Sequence, residues 1–225
     1  MELKHSYSSI SCFETCPKQF QEKYILKTVK FKPNEAAAYG QEGHKVCEDA
    51  VKAKTLPTGR WSHVAPVIQS IYNAAGDAPL HAEYELGITQ DKEPTTFWKG
   101  WLRGKLDLTY KPVPDKAVIL DYKFAAYKPS KYNLEMDVFS YLLMKNDEEV
   151  EAIKRGLLWL KQESPGSPTI TTVTRKEDFN RIEDNVLGKI QFIERSVEFD
   201  NFPCKVTGLC GWCDVTSCPH QKARR

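Results

Sequence analysis

The sequence predicts a mixed α/β (α+β) core, a central sheet flanked by helices, and three observations carry that prediction. Helical apolar periodicity fills the first third of the chain. Strand-like segments, broken by one helix, fill the middle. A long striped helix then precedes the last 25 residues, which lack periodicity and hold four cysteines.

Residues 6–26 read as helical, with Ser6, Ser8 and Ser9 as candidate N-caps and Cys16-Pro17 as a kink or turn. Residues 27–37 are polar and read as loop. A helix is expected over 38–54, carrying Tyr39, His44, Cys47 and Val51. Another is expected over 63–75, where Val64, Val67, Ile68 and Ile71 form a stripe. Strands follow at 81–89, 97–110 and 116–124, separated by turns at 91–94 and 112–115. The helix over 131–145 is apolar on two faces and should be buried on both. Strands at 153–162 and 168–174 flank the turn Ser164-Pro165-Gly166-Ser167-Pro168. Phe179, Ile182, Val186, Ile190, Ile193 and Val197 predict a helix over 176–198.

A chain of 225 residues with 41% hydrophobic content suits one domain with a real core. No apolar run approaches membrane-spanning length, and the N-terminus lacks a signal-peptide core. The formal charge of +2 does not by itself argue for nucleic acid. Basic residues are dense at Lys123, Lys128 and Lys131, and at the tail Lys222, Arg224 and Arg225, which reads as a solvated end. Seven cysteines, an odd count without an export signal, point to a reducing compartment and to metal-bound or free thiols. A cytoplasmic protein is expected, in the host cytoplasm if phage-encoded.

The chemistry concentrates in two places. Asp121-Tyr122-Lys123 closes the buried strand Ala117-Val118-Ile119-Leu120. Alternation sets Asp121 and Lys123 on one face, with Leu120 and Tyr122 on the other. A strand-end salt bridge would use the same residues. The preceding strand carries Gly104-Lys105-Leu106-Asp107, and a hairpin would bring Asp107 towards Asp121. Two adjacent carboxylates are costly without a cation, and oxygen ligands favour Mg²⁺ or Mn²⁺. His44 on its helix and Glu83 on its strand are further candidates, with ordinary surface roles open to both. In the tail, Cys210, Cys213 and Cys218 form C-x2-C-x4-C, three thiolates around one centre. A fourth ligand from Cys204 would make a local Cys₄ zinc site, and His220 could serve there instead. A fourth ligand from Cys16 would pin the tail to the N-terminal helix and suit an iron–sulfur cluster.

Taken in order, these residues resemble the RecB-like branch of the PD-(D/E)xK nucleases. Within that branch they resemble especially the iron–sulfur exonucleases of CRISPR-associated, AddB and phage type. The opening Ser6-Tyr7-Ser8-Ser9-Ile10-Ser11-Cys12-Phe13-Glu14-Thr15-Cys16-Pro17, the helical His44, the strand acid Glu83, Gly104-x-x-Asp107, Asp121-x-Lys123 and the cysteine triplet all fall in the family's sequence. The resemblance implies a restriction-endonuclease-like core spanning 1–225, with 1–26 and 200–225 forming a cluster module. It implies Mg²⁺ or Mn²⁺ held by His44, Asp107, Asp121 and the Tyr122 carbonyl, with Lys123 acting electrostatically on the phosphate. It further implies a [4Fe-4S] cluster on Cys16, Cys210, Cys213 and Cys218, with Zn²⁺ as the alternative. Where the family carries Q-x-x-x-Y, this chain has Asp137 and Tyr141, and a carboxylate there repels phosphate. Trp98, Trp101 and Tyr127 could stack bases, core packing being the other reading for Trp101. The implied activity is metal-dependent DNA exonucleolysis on single strands or duplex ends, with a helicase or recombinase as partner protein and oligomers in keeping with the family. A catalytically silent DNA- or partner-binding protein is the alternative. No G-x4-G-K-[ST] loop is present, so an unwinding motor is expected to be a separate protein.

Overall fold

The computed structural model describes residues 3–29, 34–125, 133–161 and 170–221. Tyr127, Lys128, Lys131, the turn at 164–168 and the basic tail Lys222, Arg224 and Arg225 lie outside them. The helices are α1 Tyr7–Thr15, α2 Pro17–Phe20, α3 Glu35–Ala53, α4 Ala65–Ala75, α5 Asn133–Asn146 and α6 Phe179–Glu198. The strands are β1 His81–Ile88, β2 Pro94–Thr95, β3 Leu102–Val113, β4 Lys116–Lys123, β5 Ala152–Trp159 and β6 Ile170–Arg175. They form two compact units. One comprises Met1–Lys4 and Pro33–Glu183, the other His5–Lys32 and Asp184–Arg225.

The first unit is built on a six-stranded sheet in the order β2-β1-β3-β4-β5-β6. β4 and β5 run parallel, while the other neighbours are antiparallel. A parallel pair needs a long crossover, and α5 supplies it. Leu108 and Tyr110 of β3 and Val118, Leu120 and Tyr122 of β4 pack with Cys47 and Val51 of α3 and Ile68 and Ile71 of α4. Burying each such large side chain contributes about 1.5–3 kcal/mol. Because Tyr122 enters this cluster, alternation sends Asp121 and Lys123 to the opposite face, where Glu135 of α5 meets Lys123. Every residue of α5 from Glu135 to Met144 is buried, as its two apolar faces predicted. Gly104 lies directly beneath this helix. A Cβ there would sit 2.7 Å from Leu142 Cδ1 and 3.3 Å from the Phe139 ring, so a side chain in place of the motif glycine would have to displace them.

Caps follow local chemistry. Asn34 accepts the Ala37 N–H at 2.8 Å and starts α3 ahead of the expected boundary. A 3₁₀ segment over Gly59–Val64 precedes α4. The strand expected over 97–110 begins only at Leu102. The Thr96 carbonyl accepts the N–H groups of Lys99 and Gly100, at 3.0 and 2.9 Å, which closes a turn over 96–100. Trp101 is buried and joins the core rather than a binding surface.

In the second unit, α1 opens on a reciprocal Ser6/Ser9 capping box and ends at Cys16. Pro17 then starts α2, and a π-helical turn follows over Gln21–Ile25. Val186, Ile190 and Ile193 of α6 are fully buried. Val197, expected to continue that stripe, is exposed at the helix end. The C-terminal segment is largely coil. It is fastened by Lys205 Nζ donating to the Glu14 carbonyl at 2.8 Å and by Ser217 Oγ donating to the buried Glu22 at 3.1 Å.

Candidate functional site

Three segments of the first unit converge on one acidic centre. Register pairs Ala82 with Leu108 and Tyr84 with Leu106, which sets Glu83 opposite Asp107. Glu83 adopts φ of +54°, a left-handed conformation uncommon for a residue with a Cβ. Such an outlier bends the strand locally and re-aims its side chain. The Glu83 carboxylate meets Lys105 Nζ at 2.6 Å. Asp107 Oδ2 accepts the Tyr122 N–H at 2.8 Å and lies 3.2 Å from His44 Nδ1. His44, Glu83 and Asp107 each offer one ligand atom, and these atoms all lie within 4.8 Å of one another. An imidazole nitrogen with two carboxylates is a donor set for a hard divalent cation. Burial pulls the His44 imidazole down, but the hydrogen bond to Asp107 and the charges of Asp107 and Glu83 together outweigh it and leave the group raised. The centre opens on a shallow depression lined by Gly40, Gln41, His44, Lys45, Glu48 and Glu83.

Next to it, on the α5 side of β4, lies a second charged group. Lys123 Nζ sits 2.6 Å from Asp121 Oδ2 and 2.7 Å from Glu135 Oε2. Burial would lower the Lys123 ammonium, but the two carboxylates overcome that and raise it. Asp121 is raised well above the usual carboxylate range, first by burial and then by Asp107 and Glu135. Glu135 is raised for the same first reason. The group therefore stores electrostatic cost, which a nearby cation would relieve.

The expected site residues are thus brought together in part. His44 and Asp107 face each other with Glu83 as the third donor, whereas Asp121 turns to Lys123. The Tyr122 amide touches Asp107, and its ring is buried in the core. Tyr141 is fully buried, stacks on Phe179 and directs its hydroxyl to Glu183 at 3.4 Å. Asp137, which replaces the family's glutamine, pairs with Arg155 of β5 at 2.6 Å. Sequence reasoning missed Glu135 and Arg155. One signal was available: α5 reads as buried on both sides, so its acids require buried cationic partners.

The second unit holds the thiols. Cys16, Cys204, Cys210, Cys213, Cys218 and His220 line one cavity of about 280 Å³. Cys204 and Cys218 are in contact, Sγ to Sγ 3.7 Å. The Lys205 N–H donates to Cys16 Sγ at 3.4 Å, and the Thr207 N–H to Cys210 Sγ at 3.3 Å. Burial first, then Cys218 and Cys16, raise the Cys204 thiol. The other two cysteines do not line that cavity: burial pushes Cys47 up to about 12 and Cys12 up to about 11. None of the seven is in a disulfide.

Comparison with known proteins places this geometry. A solved structure from Eubacterium rectale, described as a candidate exonuclease, superposes with a TM-score of 0.58 at 11% identity, covering 100% of this chain and 90% of that one. The solved structure of SSO0001 aligns over 99% of this chain and 88% of its own, with a TM-score of 0.49 at 11% identity. At such identities the likeness is one of fold. No curated protein matches the chain by sequence. The profile of the PD-(D/E)XK nuclease superfamily matches residues 4–219, nearly the whole chain, and the protein belongs to that superfamily.

Proposed function

We propose that this protein is a metal-dependent DNA exonuclease that hydrolyses phosphodiester bonds in DNA processing. The observation carrying this reading is the His44–Glu83–Asp107 donor set, with the Lys123 ammonium nearby on β4. In the proposal, His44, Glu83 and Asp107 hold Mg²⁺ or Mn²⁺, and Asp121 joins them by releasing Lys123. A divalent ion bound there supplies Lewis acidity and an activated water. Lys123 remains an ammonium at neutral pH and offsets charge on the reacting phosphate rather than taking a proton. Asp107, accepting the Tyr122 amide, keeps its carboxylate oriented. Arg155 neutralises Asp137, which would otherwise repel the phosphate backbone.

The cysteine cavity is assigned a structural [4Fe-4S] cluster on Cys16, Cys210, Cys213 and Cys218, holding the C-terminal segment to the N-terminal helices. Five thiols lining one small cavity are a donor set for a thiophilic metal centre. Zn²⁺ is the second reading, favoured by the direct Cys204–Cys218 contact.

The test is cleavage of end-labelled single- and double-stranded DNA by anaerobically purified wild-type and Asp121→Ala protein, with Mg²⁺, Mn²⁺ or chelator. Metal-dependent release of short products, lost in the variant, is expected. Absence of cleavage under every metal on both substrates would overturn the nuclease reading in favour of a binding protein.

A further inference from the structure

β3 continues beyond the acidic centre into a second feature. Asp107, Lys105 and Arg103 recur at period two, and Glu83 touches both the centre and Lys105. One step further, the Arg103 guanidinium lies 4.7 Å from the Phe97 ring centroid and 6.0 Å from that of Trp98. Phe97 and Trp98 meet edge to face at 5.2 Å. Trp98 is nonetheless 68% exposed, so the packing fixes its position without covering its surface. An indole this open has a hydration penalty that a partner would remove.

The turn that presents it is held from beneath. It closes on the two hydrogen bonds to the Thr96 carbonyl. Gly87 of β1 lies against it so closely that a Cβ would come within 2.8 Å of the Thr96 oxygen and 3.2 Å of the Gly100 Cα. Only glycine permits that approach. Lys4 Nζ donates to the Trp98 carbonyl. Lys4 and Lys99 are exposed, so the aromatic pair has cationic neighbours on both sides in sequence and space.

We propose that Trp98, Phe97 and Arg103 form a stacking platform for a single-stranded nucleic acid whose scissile phosphate lies at the acidic centre. This rests on the nuclease reading and adds the form of substrate it takes. Arg103 lies four residues from Asp107, about 13 Å along the strand. That spans roughly four nucleotides at the 3.4 Å stacked spacing. Lys105 lies between and faces the backbone that bridges them. Base-paired DNA has its bases stacked internally and cannot offer one to Trp98, so the platform selects unpaired strands.

The experiment measures binding of a labelled thymidine 12-mer by fluorescence anisotropy in chelator, where no cleavage occurs, for wild type, Trp98→Ala, Trp98→Phe and Arg103→Ala. A base stacked on an aromatic residue predicts about 5- to 150-fold weaker binding for Trp98→Ala, with Trp98→Phe largely restored. In cleavage with Mg²⁺, KM for the 12-mer should rise in Trp98→Ala and return towards wild type in Trp98→Phe. Circular dichroism checks that each variant is folded. Equal 12-mer affinity in folded wild type, Trp98→Ala and Arg103→Ala would overturn the platform. So would an unchanged affinity accompanied by an altered oligomeric state, which would make the aromatic pair a contact between copies. If wild type binds through Trp98 but cleaves nothing, the platform stands and the nuclease reading fails.

Discussion

The acidic centre and the cysteine cavity are built in opposite ways. The acidic centre hangs on β1, β3, β4, α3 and α5, and its side chains are held by strand register and by one another. Glu83 is opposite Asp107 because the ladder puts it there, and Lys123 is locked between Asp121 and Glu135. The cavity is lined largely by coil, and its thiols are placed by a few backbone N–H groups and two side-chain fastenings. The first arrangement rests on strand register and packing, and in the proposed reading the second rests on a bound metal centre. This predicts that damage to the centre removes chemistry, whereas damage to the cavity removes structure.

The largest effect should come from Lys123→Ala. Losing its charge beside the phosphate should lower the cleavage rate by about 10²- to 10³-fold while DNA binding persists. Retained cleavage would remove Lys123 from the chemistry. Next are the thiols. Cys16→Ala and Cys213→Ala should each lower Tm by roughly 10 °C in protein purified without oxygen, and Cys204→Ala by much less. The reverse order would make Cys204 a ligand, and colourless protein with stoichiometric zinc would replace the cluster.

How much of this was legible in the sequence follows the same division. Period-two alternation put Asp121 and Lys123 on one face and Tyr122 on the other, and the ordered motifs named His44, Glu83 and Asp107, whose donor atoms the fold brings together. Periodicity could not show that Glu83 would take a positive φ and become the third donor, because that depends on the pairing of β1 with β3. The sequence offered the Asp121–Lys123 salt bridge only as an alternative, and the burial of that pair beside Glu135 of α5 was not legible in it. The Trp98 turn was read as strand because its aromatic residues have strand propensity, and the hydrogen bonds to Thr96 override that propensity.

Two smaller effects sharpen the picture of a centre held by paired charges. Arg155→Met leaves the Asp137 carboxylate buried without its guanidinium and should cost about 3 kcal/mol in urea unfolding. The double variant Arg155→Met/Asp137→Leu should recover most of that loss. Asp121 carries the smallest effect and the clearest pH signature. Its carboxyl holds its proton more tightly folded than unfolded. The stability it contributes is therefore full below the unfolded value of about 4 and is lost as pH rises through the raised folded value. Asp121→Asn should thus be more stable than wild type by about 1 kcal/mol at pH 8, with the gap closing towards pH 4. A gap that does not change with pH would mean that Asp121 is not a charged group held at a cost.

The most direct test of the account is a Mn²⁺ titration followed by electron paramagnetic resonance, comparing wild type with Asp107→Asn and Glu83→Gln. The account predicts a bound ion in wild type that is lost or weakened at least about tenfold in each variant. Equal Mn²⁺ binding in all three proteins would contradict it, because His44, Glu83 and Asp107 would then not be what holds the metal.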